Sequence, residues 1–81
     1  MSPRDWKMRV QDILEAIQKI QAYTKDASLE SLQADAKTVD AVVRNLTIIG
    51  EATRNIPVDI QKRYPAIPWD DMRDMRNVVV Q

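Results

Sequence analysis

Asp35-Ala36-Lys37-Thr38-Val39-Asp40-Ala41-Val42-Val43-Arg44-Asn45-Leu46-Thr47-Ile48-Ile49-Gly50-Glu51-Ala52-Thr53-Arg54-Asn55-Ile56 repeats its apolar residues at helical spacing. Val39, Val42, Val43, Leu46, Ile49, Thr53 and Ile56 form one stripe when the chain turns 100° per residue. Ile48 and Ala52 widen that stripe beyond one contact face, which predicts a central helix with neighbours on more than one side. Asp35 is placed to cap its start near Ala36. The one glycine of the chain, Gly50, falls mid-helix, where it costs about 1 kcal/mol against Ala. Close approach of another helix is the expected offset.

The flanking segments read as helices as well. Ser2-Pro3-Arg4-Asp5 is an N-cap serine, a proline at the first helical position and an acid in the first turn. Trp6, Val10, Ile13, Ile17 and Ile20, widened by Leu14, predict an amphipathic helix over residues 3–24. Ser28 caps a short helix bearing Leu29 and Leu32. Pro57 opens a second short helix, Val58 to Arg63, which Pro65 stops. Tyr64-Pro65-Ala66-Ile67-Pro68 reads as a loop, and Pro68 starts a last helix with Trp69, Met72, Met75 and Val79 on one stripe. No strand is convincing, since Val78-Val79-Val80 is short and follows a helical pattern. The fold class is all-α: an antiparallel bundle of two long helices plus shorter ones, in one domain over residues 1–81.

Composition limits the chemistry. The 81 residues carry 12 basic and 12 acidic side chains, so net charge gives no general attraction to nucleic acid or to an anionic membrane. No cysteine is present, which excludes disulfides, cysteine-based zinc sites and thiol redox chemistry, and fits a reducing cytoplasm. No histidine is present, so the commonest general base and neutral metal ligand are missing. The single glycine rules out a glycine-rich phosphate loop. No export signal or membrane-length apolar run is visible. A chain this short buries about 60% of its unfolded surface, so association with a partner is expected to support it. Asp70 and Asp71 read as complements to the last helix's N-terminal dipole in preference to metal ligands. Glu51 is open between a buried pairing with Arg44 or Arg54 and a surface ion pair. Trp6, Trp69, Met72 and Met75 read as packing residues before a platform for bases.

Several linked segments together resemble the HepT-like family of the HEPN superfamily, ribonuclease toxins of toxin–antitoxin pairs. Asp12-Ile13-Leu14-Glu15-Ala16-Ile17-Gln18-Lys19-Ile20 with Tyr23-Thr24 resembles its first helix. Asp35 to Leu46 and Ile48-Ile49-Gly50-Glu51-Ala52 resemble its central helix. Tyr64-Pro65-Ala66-Ile67-Pro68-Trp69 resembles the loop before the catalytic segment, and Met75-Arg76-Asn77-Val78-Val79-Val80 the start of the active-site motif.

That motif is Arg, four to six residues, then His, often with Tyr two residues later. The resemblance places Arg76 at its Arg, Asn77 beside it, and Gln81 where the His is expected. The Tyr and the family's closing helix would lie beyond residue 81. The family's reaction is metal-independent RNA cleavage and needs no cofactor. Its His takes a proton from the ribose 2′-hydroxyl while its Arg steadies charge on the phosphate. Positions 76 and 81 lie about 7.5 Å apart along an ideal helix and about 140° apart around it, so two motifs facing across a homodimer would gather the groups. Gln81 cannot act as a base, because its amide does not titrate near neutral pH.

The family's partner is a minimal nucleotidyltransferase antitoxin resembling MntA, which modifies the motif Tyr. Tyr23 and Tyr64, the only tyrosines here, lack that spacing. The expectation is a weakly active or inactive HepT-like toxin in the cytoplasm, homodimeric or larger. A non-catalytic dimerisation or partner-binding module and a plain structural bundle stay open beside it.

Overall fold

A computed structural model describes the backbone of residues 3–80 and the side chains of residues 6–75. Five helices follow one another: α1 (Pro3–Thr24), α2 (Leu29–Gln33), α3 (Ala36–Arg54), α4 (Val58–Arg63) and α5 (Trp69–Val80). No strand occurs among the described residues. The molecule is elongated, 42 × 22 × 21 Å, as a bundle built on a helix of about 33 Å should be.

Local chemistry sets most helix limits. Ser28 accepts from the Ser31 amide at 3.0 Å, and the Ser31 hydroxyl accepts from the Ser28 amide at 2.9 Å, a reciprocal capping box. Asp35 Oδ1 accepts from the Thr38 amide at 3.2 Å, and Oδ2 from the Thr38 hydroxyl at 2.6 Å. The Thr38 hydroxyl and then its amide hold the Asp35 carboxyl below the usual aspartate range. Pro57 precedes α4, and the carbonyl of Pro68 accepts the Met72 amide at 3.0 Å at the start of α5. The expected Ser2 cap lies outside the described residues.

α3 is the middle of the bundle. α1 packs along one side of it and α5 along another, while α2 touches it more briefly. The core is Ile13 and Ala16 from α1, Ile49 and Ala52 from α3, then Ile56 and Ile60. Trp6, Val10, Ile20, Ile48, Trp69, Met72 and Met75 pack against it. Two polar residues are buried. Thr53, fully buried, donates its hydroxyl to the Ile49 carbonyl at 2.7 Å, and Asn45 donates its amide to the Ala41 carbonyl at 2.8 Å. Both bonds run four residues back along α3. Arg9 Nε is buried without a hydrogen-bond partner among the described residues.

Gly50 is buried within α3. It lies about 160° around the helix from Ile48, which lines clefts shared with α1. α5 is the other long helix against α3, so the side chain missing at Gly50 leaves room on the flank where α5 packs.

The α1 stripe holds at Trp6, Val10, Ile13 and Ile20 and departs from the expected one at Leu14 and Ile17. Ala16 is buried, whereas Ile17 is 37% and Leu14 48% exposed. The small Ala16 lets α1 approach α3, which turns Leu14 and Ile17 away from their one major neighbour. On α3, Val39 is likewise 38% exposed. Glu51 is exposed, which excludes the buried pairing considered for it.

Candidate functional site

α5 is the element on which the resemblance places Arg76 and Asn77. Its start is pinned by Trp69, whose indole N–H is shared between the carbonyls of Gln61 and Tyr64, each at 3.0 Å. The Trp69 amide donates to the Ile67 carbonyl at 2.9 Å, closing the loop before the helix. Asp70 and Asp71 occupy the first turn, where carboxylates favour the helix dipole. Asp70 also pairs with Arg73 one turn on, an exposed ion pair that contributes little to stability. Met72 and Met75 pack against the core and fix the rotation of α5 on α3.

Arg76 and Asn77 follow Met75 directly in the α5 backbone, and their side chains lie outside the described residues. Gln81 lies outside the described residues altogether. The fold therefore places the Arg76-Asn77 backbone on a helix anchored at its start and packed along α3. It does not place Gln81 relative to them.

A cavity of about 510 Å³ lies at the other end of α5, lined by Val58, Lys62, Pro65, Ile67, Trp69 and Asp71 among others. It is built at the α4–α5 corner. A second cleft, about 380 Å³, opens between α1 and α3, where Lys19 and Tyr23 face Asp40, Arg44 and buried Asn45. Asn45 was missed as a core residue in the sequence. The signal was its position four residues before Ile49 on the same stripe. Among the described residues no group of three or more acids is arranged to hold a metal ion, and no helix is long and apolar enough to cross a membrane.

Five helices, with α3 central between α1 and α5 and no strand among the described residues, give an all-α domain consistent with the HEPN-like class. Residues 13–81 match the family described as ribonuclease HepT-like, and the chain belongs to that family. It is 43% identical over 77 residues to a "Probable ribonuclease HepT" of Thermococcus cleftensis, covering 95% of this chain and 70% of that protein. It is 36% identical over 80 residues to a "Putative RNase" of Methanocaldococcus jannaschii, covering 99% of this chain and 66% of the relative. A third relative, from the same organism, is a "Gamma-glutamylcyclotransferase and putative RNase". It is 36% identical over 78 residues, covering 96% of this chain and 35% of its own length. No solved structure matches.

Proposed function

We propose that this chain is the toxin component of a HepT-like toxin–antitoxin pair, an RNA endonuclease by lineage. The observation that carries the proposal is the family match through residue 81, which includes Arg76 on an anchored α5. In the reaction, a base removes the proton from a ribose 2′-hydroxyl and the 2′-oxygen attacks the adjacent phosphorus. The bond to the 5′-oxygen breaks, and that oxygen takes up a proton from water or from the protonated base, leaving a 2′,3′-cyclic phosphate and a 5′-hydroxyl. Arg76 stabilises the charge on the phosphate, and Asn77 supplies a neighbouring hydrogen-bonding group. Chemistry of this kind requires no metal or cofactor.

Gln81 stands at the base position, and the 81 residues include no histidine to replace it. With glutamine at that position, the reading is a weak or inactive nuclease over these 81 residues. Loss of a general base costs about 10²–10⁴ in rate. The half-exposed Leu14, Ile17 and Val39 support homodimerisation, and lineage supports a minimal nucleotidyltransferase antitoxin as partner in the cytoplasm.

The deciding experiment is Gln81→His with a labelled single-stranded RNA. The expected result is a gain of about 10²–10⁴ in cleavage, a cyclic-phosphate end, and loss of the gain on adding Arg76→Ala. No gain in a folded variant refutes the catalytic reading. The absent histidine then favours the second reading, a dimerisation or partner-binding module without catalysis.

A further inference from the structure

The cleft between α1 and α3 has features the motif does not use. It takes Lys19 and Tyr23 from the C-terminal half of α1, and Asp40, Ala41, Arg44, Asn45 and Ile48 from α3. No α5 residue lines it among the described residues. Among the described residues, neither Lys19 nor Arg44 has a hydrogen-bond or ion-pair partner. The neighbouring ion pair is local to α1, Arg9 with Asp12 at 3.3 Å, and leaves both cations unmatched. Tyr23 is 44% exposed at the same place. Asn45 is buried beneath, with its amide held by the Ala41 carbonyl, so this part of the wall is preorganised.

Two unpaired cations on separate helices, with an exposed aromatic ring beside them, match the needs of a single nucleic-acid strand. The cations meet successive phosphates, and the ring offers a face to one base. One acid, Asp40, opposes them inside the cleft; Asp12, paired with Arg9, and Glu15 line the adjoining stretch of the groove. The local balance of Lys19, Arg44 and Asp40 is one positive charge on a chain of zero net charge.

We propose that the Lys19–Arg44–Tyr23 cleft is a backbone-binding subsite for single-stranded RNA, separate from the Arg76 motif. It holds the strand by two phosphates and one stacked base. The inference rests on the ribonuclease reading and adds a place where substrate is held. Lys19 and Arg44 are positioning residues here, with no part in bond cleavage.

The test is fluorescence anisotropy of a labelled single-stranded RNA with the full chain and with Lys19→Ala/Arg44→Ala, Tyr23→Ala and Asp40→Asn. Circular dichroism confirms that each variant is folded. Two single-strand phosphate contacts contribute a slope of about 1.4 in log affinity against log salt. That is about a sevenfold loss between about 50 and about 200 mM salt. The double variant should lose that part of the slope, and Tyr23→Ala should weaken binding about fivefold. Asp40→Asn should tighten binding, a sign that damage to the fold cannot produce. Lys19→Arg/Arg44→Lys should retain the slope.

If the full chain binds RNA and the double variant keeps the same slope, the cleft assignment is overturned while the ribonuclease reading stands. If the full chain binds no RNA at low salt, both fall. If the variants lose only a protein partner, the cleft is a protein-docking surface and the RNA assignment is overturned.

Discussion

Replacing Trp69 by Phe tests what holds the motif-bearing helix in place. The change removes one indole N–H shared between two carbonyls and part of a ring packed on the core. Neither carbonyl is orphaned by the loss. Gln61 O still accepts the Tyr64 amide at 3.2 Å, and Tyr64 O the Ile67 amide at 3.1 Å. The cost is therefore that of an ordinary hydrogen bond, about 0.5–1.5 kcal/mol, without the larger penalty of a buried unpaired acceptor. The smaller ring brings the total to about 1–2 kcal/mol. A domain of this size has about 4–12 kcal/mol of stability in all, so the variant should remain folded. Its thermal midpoint, followed by far-ultraviolet circular dichroism, should fall by about 4–16 °C. If Gln81→His gains the cleavage proposed for it, rate in that background at a temperature below the transition should also fall, because α5 has lost its anchor. A midpoint unchanged within about 1 °C would refute the anchoring role. A loss of more than about 4 kcal/mol in urea would show that the carbonyls depend on the indole after all.

Other expectations follow from single residues. Gly50→Leu should destabilise by about 1–3 kcal/mol in urea titration because α5 closes over that flank; a gain from better helix propensity would mean the flank is open. The Asp35 carboxyl is depressed below its ordinary 3.8, so its stabilising part is complete above that value and is lost as pH falls through the lower folded value. Asp35→Asn should remove this acid-dependent component in thermal melts between neutral pH and strong acid, and equal pH profiles would contradict the cap. Ile17→Asp with Leu14→Lys should shift the protein towards monomer in analytical ultracentrifugation; an unchanged mass would place any dimer contact elsewhere.

The sequence by itself determined the order and limits of the helices, because the signals that start and stop a helix are local. Ser28 with Ser31, Asp35 with Thr38, Pro57 and Pro68 all act within one turn of their own position. The widened stripe around Ile48 and Ala52 also made α3 central, and linked motifs along the chain carried the family. The tertiary structure alone decided which flank of each helix is covered. Periodicity marks an apolar stripe but not its rotation against a neighbour, which depends on side chains far apart in sequence. Ala16 therefore occupies the core where Ile17 was expected, and Asn45 lies beneath a cleft. Lys19 and Arg44, separated by the end of α1, all of α2 and the start of α3, meet in one groove. The shared indole bond of Trp69 was equally invisible, since it depends on where the α4–α5 loop turns its carbonyls.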